Sequence, residues 1–381
     1  MILRTSSRSR SLFRSLISLI GWCGCLGTLA VCAMGLANFT APDYWVSDNM
    51  SFFLRQFLAA GLLGCVGGAL GFFVRHRFAL LYKMVWFLAV LALLSLAGLT
   101  GVRTLANTVE PTPLQAGYRP VKVVSINLEH LFLGDRVLQA FLEKEQPDIL
   151  VLQETLWGLQ EKRWQRLGLP VGGTGEHGFP HYLKVGELGS LVVYSRFPIL
   201  KASPTVIQGD LPPGANVYYN ADRELLALTL ETEAGPLHLV AIHPDSPRTE
   251  ARWQNKRQYF DEADRVIGEL RAEKNGPILA IGDWNSSPWS ARFQQTLEEN
   301  SLKTAYPGRW PQTTRFFFDY RLHWILGAPV DQFCISDGLQ VVSVSTGPDI
   351  GSDHVPLIVE LGMKETGEET ETDTVPETGV N

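Results

Sequence analysis

Residues 277–285 read Pro-Ile-Leu-Ala-Ile-Gly-Asp-Trp-Asn. The short apolar run, bounded by Pro and Gly, is typical of a buried strand. It places Asp283 and Asn285 at the C-terminal end of that strand or in the next loop. A second segment, Gly351-Ser-Asp-His354, stands just before another apolar run. Together they offer carboxylate, amide and imidazole groups that can converge on a phosphate and a divalent metal, which indicates metal-assisted phosphoester hydrolysis.

Further short apolar runs on both sides of this stretch extend the pattern of strands. The expected strands are 121–127, 148–153, 190–194, 225–230, 237–242, 277–282, 331–335 and 356–361. Apolar residues at helical spacing predict helices over 135–144, 249–274 and 290–299. This alternation predicts an α/β fold, a four-layer α/β sandwich in which two packed mixed sheets are flanked by helices.

The first 103 residues have a different composition. They contain nine basic and two acidic residues, a charge of +7, and three apolar stretches at 16–37, 56–74 and 84–102. Each stretch approaches the roughly 20 residues that a helix needs to cross a bilayer. We therefore predict a membrane anchor of three transmembrane helices over 1–103. A cleaved signal peptide is the alternative for the first stretch, but no small-x-small cleavage site is evident and two more apolar stretches follow.

Charged residues beside the apolar stretches predict the orientation. Basic residues precede the first stretch and separate the second from the third, whereas the first connection carries Asp43 and Asp48. Basic loops stay on the cytoplasmic side. With three spans, the remainder of the chain should then face the periplasm or the exterior from an inner or plasma membrane.

The remainder divides into three parts. Residues 104–119 form a Pro-containing linker, 120–362 the folded domain, and 363–381 an acidic tail too poor in large apolar residues to fold. Residues 104–381 hold 24 basic and 37 acidic residues, a charge of −13. This charge argues against tight, salt-driven binding to duplex nucleic acid. It is compatible with turnover of a phosphodiester, because a bound metal supplies local positive charge.

Several ordered motifs place polar residues at strand ends. They are Ser125-Ile-Asn127, Leu152-Gln-Glu154, Ile242-His243, Gly282-Asp283-Trp-Asn285, Val330-Asp331 and Ser352-Asp353-His354. In this order and spacing the chain resembles the endonuclease/exonuclease/phosphatase superfamily, with the deoxyribonuclease I-like fold, in a membrane-anchored bacterial form. The resemblance covers about 240 of the 381 residues.

The resemblance implies a metal site. Glu154 would be the principal ligand of Mg²⁺, with Mn²⁺ as the alternative ion, and Asn127, Glu129 and Asp353 would complete the site. The alternative for Glu154 is a solvated carboxylate after a strand.

The resemblance also implies catalytic roles. Asp283 would orient or deprotonate the attacking water, and Asn285 would donate a hydrogen bond to the phosphate. His354 would donate to a non-bridging oxygen, with Asp331 holding its ring, and His243 would assist the leaving oxygen or clamp the phosphate. For His243, a core histidine bonded to backbone is the alternative. Arg223 would bind substrate near the phosphate, with a solvated arginine as its alternative.

The expected function is that of a membrane-anchored, metal-dependent phosphodiesterase with nuclease-like chemistry. Its partners would be a phosphodiester substrate, either nucleic acid or phospholipid, and the lipid bilayer that holds its N-terminal helices. One alternative is a sphingomyelinase-like or inositide-directed enzyme that acts on lipid head groups. Another is a non-catalytic, membrane-tethered binding protein. Substrate choice is expected to lie in loops, and residues 201–220, rich in Pro, Gly and Tyr, are a candidate specificity loop.

Overall fold

A computed structural model describes residues 7–74, 78–129, 131, 135–155, 179–186, 190–211 and 221–365. The helices are α1 (Ser7–Thr40), α2 (Trp45–Asn49), α3 (Leu54–Leu70), α4 (Ala79–Leu105), α5 (Arg136–Glu145), α6 (Glu250–Glu273) and α7 (Ala291–Glu299). The strands are β1 (Tyr118–Asn127), β2 (Ile149–Thr155), β3 (His181–Val185), β4 (Ser190–Ser195), β5 (Ile199–Ile207), β6 (Arg223–Thr232), β7 (Gly235–Ile242), β8 (Ile278–Asp283), β9 (Arg315–Phe316), β10 (Gly327–Ala328), β11 (Asp331–Ile335), β12 (Leu339–Thr346) and β13 (Leu357–Lys364).

Within these ranges the strands form two mixed sheets and a small ribbon. The first sheet has the order β12-β13-β1-β2-β4-β3 and the second β11-β8-β7-β6-β5, while β9 pairs with β10. β1 and β2 run parallel in the first sheet, as β7 and β8 do in the second. The neighbouring strands pair antiparallel.

The core has three apolar layers. Side chains such as Val123, Val151, Leu228 and Ile281 fill the space between the two sheets. Helix α5 covers the outer face of the first sheet, and α6 and α7 cover the second. The structure thus confirms the predicted four-layer α/β sandwich.

Three N-terminal segments within the described residues, 12–40, 45–73 and 79–105, are long and apolar enough to cross a membrane. At about 1.5 Å per residue, 12–40 and 79–105 exceed a hydrocarbon layer of about 30 Å, and α3 with the 3₁₀ turn that follows it is about as long as that layer. Helices α1 and α3 approach closely at Gly24, where an added Cβ would lie 2.5 Å from Gly64 O and 2.8 Å from Gly68 N. Small residues that let backbones touch are typical of helix packing in membranes.

The connection between α1 and α3 packs against the sandwich. Asp48 is 3% exposed, and its carboxylate accepts hydrogen bonds from Trp253 Nε1 at 2.9 Å, Lys256 Nζ at 3.1 Å and Ser290 Oγ at 2.8 Å. The connection therefore lies on the same side of any membrane as the sandwich. The acidic residue that served as an orientation signal in the sequence is also a docking contact.

The structure also differs from the sequence expectations in detail. Strands β3, β5 and β12 were not predicted, and β5 occupies 199–207, so the first part of the candidate specificity loop is a strand. Residues 212–220 of that loop lie outside the described residues. The sheet begins at Tyr118 and ends at Lys364, two residues beyond each predicted domain boundary. The predicted acidic tail falls mostly outside the described residues.

Candidate active site

The parallel pairs of the two sheets bring polar residues to one place. Asn127 ends β1 and Glu154 lies near the end of β2, while His243 follows β7 and Asp283 ends β8. Since β8 packs against β1 and β2, the carboxyl ends of both pairs face each other across the sandwich. Parallel neighbours present their carboxyl ends at the same edge of a sheet, which is why residues distant in sequence converge here.

Asn127 links the two sheets at this point. Its Nδ2 donates to Glu154 Oε1 and to Asp283 Oδ2, at 3.0 Å in each case. Its Oδ1 accepts from the backbone N–H of Glu129 at 3.0 Å. In this arrangement the amide nitrogen, rather than the oxygen, faces the carboxylates, so Asn127 holds the two acids together.

His243 lies over the same pair of acids. Its side chain is 7% exposed, with Nε2 3.5 Å from Glu154 Oε1 and 4.0 Å from Asp283 Oδ2. Burial disfavours the imidazolium, but the Glu154 and Asp283 carboxylates outweigh burial and raise the pKa of His243. For Glu154, burial is opposed by His243, Asn127 and His354, which hold the pKa of its carboxyl well below the ordinary range.

A second imidazole reaches Asp283 from the other side. His354 Nδ1 lies 2.8 Å from Asp331 Oδ2, and its Nε2 lies 3.8 Å from Asp283 Oδ2. The antiparallel register of β8 and β11 sets Asp331 opposite Asp283. Burial of His354 is outweighed by the Asp331, Asp283 and Asp353 carboxylates, which raise its pKa to about 9. The imidazolium is therefore the main form at neutral pH.

Asp283 is buried and held by Asn285. The backbone N–H of Asn285 donates to Asp283 Oδ1 at 2.8 Å, and its Nδ2 donates to Asp283 Oδ2 at 3.2 Å and to Pro244 O at 3.1 Å. Burial raises the pKa of Asp283; Asp331 acts in the same direction, while His354, His243 and the Asn285 N–H oppose it. Asn285 therefore orients the carboxylate that is expected to act on water.

Three site residues adopt left-handed backbone conformations. Glu129, Glu154 and Asn285 have φ values of 51°, 55° and 44°. Non-glycine residues rarely occupy this region, and strained residues of this kind cluster at functional sites. The turns direct these side chains at the ends of β1, β2 and β8.

Asp353 and Glu129 lie beside His354. Asp353 Oδ1 is 3.6 Å from His354 Nε2, and the backbone N–H of Asp353 donates to Glu129 Oε2 at 3.2 Å. Arg315, from the ribbon strand β9, donates from Nε and Nη2 to Asp353 Oδ2 at 3.1 and 2.9 Å. Burial opposes its charge, but the Asp353, Asp283 and Glu154 carboxylates raise the pKa of Arg315. Arg315 was not predicted from the sequence, because a lone arginine between short irregular segments carries no strand-end signal.

Arg223, the predicted substrate-binding residue, starts β6 close to His243. Its Nη2 lies 2.5 Å from Oδ1 of Asp245, which is 1% exposed, and its Nη1 donates to Asp222 O at 2.7 Å. The structure thus commits this guanidinium to a buried carboxylate, and its role toward substrate stays a prediction.

Among the described residues, two groups of side chains have the donor types and spacing of a metal site. Glu154, His243 and Asp283 form one, and Asp283, Asp331 and His354 the other, with donor atoms within 4.8 Å of one another in each. Of the predicted ligands, Glu154 belongs to the first group and Asn127 bonds to it, whereas Glu129 and Asp353 contact each other beside His354. The Glu154 side chain is 40% exposed and Asp283 only 1%. A cation on Glu154 could keep water ligands toward solvent, as Mg²⁺ usually does.

Comparisons with known proteins indicate the family of this chain. The sequence pattern of the endonuclease/exonuclease/phosphatase family matches residues 124–354. The chain is 28% identical over 171 residues to exodeoxyribonuclease III of Haemophilus influenzae, covering 44% of this chain and 58% of that protein. The chain thus spans little more than half the length of this curated relative.

Solved structures of similar proteins match nearly two thirds of the chain. An endonuclease/exonuclease/phosphatase from Bacteroides vulgatus is 19% identical, with a TM-score of 0.48, covering 64% of this chain and 99% of that one. A mannosyl-6-phosphatase of Bacteroides thetaiotaomicron is 18% identical, with a TM-score of 0.46, covering 63% and 99%.

Proposed function

Because the chain belongs to the endonuclease/exonuclease/phosphatase family, a family of nuclease- and phosphatase-type phosphoesterases, we propose that it is a divalent-metal-dependent phosphodiesterase. The observation that carries the proposal is the convergence of Glu154, His243, Asp283 and His354 from both sheets. The alternatives, a solvated Glu154, a core His243 or a purely binding module, would not require these four side chains to converge.

The metal would be held by Glu154, with Asp283 and His243 close by. Two carboxylates and an open side toward water suit Mg²⁺, with Mn²⁺ as the alternative. Bound there, the cation would offset negative charge that develops on the phosphoryl oxygens during the reaction. Asn127 would keep the carboxylates together as the substrate enters.

The chain's own groups would then act on water and phosphate. Asp283 would orient the attacking water and accept its proton, since burial brings its pKa upward toward that of a useful base. The His354 imidazolium would donate to a non-bridging oxygen, and Asp331 would fix its ring and its charge. His243 would steady the phosphate or the leaving oxygen. The phosphate contact expected of Asn285 would replace its bond to Pro244 O.

Hydrolysis of bis-p-nitrophenyl phosphate by the full chain tests the chemistry independently of the natural substrate. We expect Mg²⁺-dependent release of p-nitrophenol that a chelator abolishes and added Mg²⁺ restores. Asp283→Asn and His354→Gln should each lower kcat by at least about 100-fold. Asp337→Asn, at an exposed aspartate after β11, is the matched control. Activity that survives the chelator, or more than a tenth of the wild-type rate in either site variant, would overturn the proposal.

Nucleic acid is one candidate substrate class, and phospholipid or inositide head groups are the other. Magnesium titration by calorimetry addresses the non-catalytic alternative, which would stand if the full chain neither bound the ion nor hydrolysed the diester.

We further propose that the apolar helices anchor the enzyme in an inner or plasma membrane with the sandwich facing the periplasm or exterior. An alkaline phosphatase fusion after residue 110 should be active in that orientation and silent in the opposite one.

A further inference from the structure

A cavity of about 380 Å³ lies directly beside the candidate active site. Its lining includes Asn285, Arg315 and Asp353 from the site just described. It also includes the rings of Phe52, Phe53 and Phe317, which we call the apolar wall. The lining is therefore amphiphilic, because charged groups and aromatic rings border the same cavity.

The N-terminal segment supplies part of this wall. Phe52 and Phe53 belong to a 3₁₀ turn, Met50–Phe53, between the buried Asp48 and the start of α3. The Phe53 ring packs at 5.8 Å from that of Phe317. Asn49 Nδ2 donates to Pro247 O at 2.9 Å, so the turn is fixed to the sandwich next to the cavity. The cavity is thus built jointly by the sandwich and by the segment predicted to enter the membrane.

The apolar wall is continuous with surfaces suited to a bilayer interface. Immediately after the turn, α3 continues the second candidate span. Residues that follow Phe317 are widely exposed, including Phe318 at 81% and Trp324 at 65%. Gln56 Nε2 of α3 donates to Ile325 O at 2.9 Å, which ties this aromatic loop to the candidate span. Exposed aromatic clusters beside a span are typical of residues at the membrane–water boundary.

We propose that the substrate is a membrane lipid phosphodiester whose apolar chain lies against Phe52, Phe53 and Phe317 while its phosphate lies at Asp283 and His354. The inference rests on the proposed hydrolysis and adds a substrate class to it. Charge supports the choice over nucleic acid, because the part of the chain after residue 103 carries −13 and a polyanion would be repelled along its length. A lipid brings one phosphodiester and an apolar tail, which match the charged and the aromatic parts of the cavity lining.

Two synthetic diesters separate the chain-binding step from the chemistry. Methyl and octyl p-nitrophenyl phosphate undergo the same reaction, in which water adds to phosphorus, the P–O bond to the aryl group breaks, and alkyl phosphate and p-nitrophenolate leave. The full chain is assayed with Mg²⁺ in one fixed concentration of maltoside detergent, with each substrate kept below its micelle concentration. We expect kcat/KM for the octyl diester to exceed that for the methyl diester at least tenfold, since a buried methylene contributes up to about fourfold.

Variants of the wall test where the preference arises. Phe317→Ala should lower the octyl-to-methyl ratio of kcat/KM by at least threefold, and Phe317→Leu should restore most of it. Phe52→Ala should act in the same direction as a second, independent wall variant. Phe318→Ala is the matched control, because it removes a neighbouring phenylalanine that is exposed and does not line the cavity. Its ratio should equal that of the wild type.

The outcomes separate this inference from the proposed function. A ratio near one in an enzyme that hydrolyses both diesters overturns the lipid assignment and leaves the phosphodiesterase intact. A flat ratio together with faster cleavage of plasmid DNA assigns the site to nucleic acid instead. If the octyl-to-methyl ratio of kcat/KM falls equally in the Phe317 and Phe318 variants, the inference is also overturned, because the preference would not arise at the apolar wall. Hydrolysis of neither diester overturns the proposed function itself.

Discussion

Changing Asp48 to Asn removes the buried negative charge that joins the connection between α1 and α3 to the sandwich. The Lys256 side chain is 1% exposed and the Asp48 side chain 5%, and their charged atoms lie 3.1 Å apart. Trp253 Nε1 and Ser290 Oγ donate to the same carboxylate. Asparagine would leave the Lys256 ammonium buried without a counter-charge. Its amide nitrogen would also replace one of the two carboxylate oxygens, so that a donor would face another donor there.

The size of the effect follows from this burial. Removing one partner of a buried ion pair costs about 3–5 kcal/mol of unfolding free energy. In a unit of 150–250 residues, this corresponds to a fall in Tm of about 6–20 °C. The same connection offers a matched control. Asp43 pairs with Arg257 at 3.0 Å, but the two side chains are 76% and 33% exposed, so Asp43→Asn should cost about 0–1 kcal/mol.

Thermal unfolding of the full chain in detergent, followed by tryptophan fluorescence at one scan rate, measures both variants. Lys256→Met completes a double-mutant cycle, because the double variant with Asp48→Asn leaves neither charge buried alone. We expect its destabilisation to be about 1–3 kcal/mol less than the sum of the single effects. The reasoning is refuted if Asp48→Asn lowers Tm no more than Asp43→Asn does, or if the cycle is additive. Either result would mean that the connection is not docked on the sandwich.

Three other predictions concern the site and its frame. Asp331→Asn should lower the pKa of His354 from about 9 toward 6.5. The kcat for bis-p-nitrophenyl phosphate should then fall by up to about 30-fold at pH 8 but less than twofold at pH 6. An equal loss of kcat at both pH values would reject a charge effect. Gly282→Ala places a Cβ 2.0 Å from Ile242 O at a φ of 154°, so it should lower the free energy of unfolding by at least about 1–3 kcal/mol, measured as a fall in Tm. Its control is Gly268→Ala, in open space on α6, which should raise Tm or leave it unchanged. Mg²⁺ should raise the Tm of the wild type but not of Glu154→Gln, and an equal rise in both would remove Glu154 from the metal site.

The interior strands could be predicted because they are buried on both faces. Each is a run of β-branched or leucine side chains that contrasts with the Gly, Pro and Asp around it. The longer strands that were missed, β3, β5 and β12, all lie at the edges of the two sheets. Strand β5 (Ile199–Ile207) is exposed along most of its length and contains Ser203 and Pro204. An edge strand is held by the backbone of one neighbour, so its side chains need no apolar pattern that a sequence could show.

The predicted site residues stand at or near the ends of buried strands, which is the signal that the sequence offered. Asn127, Glu154 and Asp283 stand at strand ends, and the parallel pairing of their strands brings them together. Arg315 belongs to a two-residue strand without periodicity, so only the fold reveals its bond to Asp353. The sequence likewise gave no sign of the ion pair between Asp48 and Lys256. An acid between two apolar stretches indicates the topology of the chain but does not indicate its partner.

Charge explains why the site would need a cation before it could accept a phosphate. Its two clusters combine the carboxylates of Glu154, Asp283 and Asp331 with the imidazoles of His243 and His354. The directions of the pKa shifts favour the charged forms of both imidazoles and of Glu154, and Asp353 is balanced by Arg315. Burial shifts the pKa of Asp283 upward, but a base must be ionised to act. With Asp283 and every other group charged, the clusters carry one net negative charge, and a phosphodiester would add another. A divalent cation would cancel both, so binding of a phosphodiester should weaken when the metal is removed, also in the slow His354→Gln variant, whose clusters would carry one more negative charge.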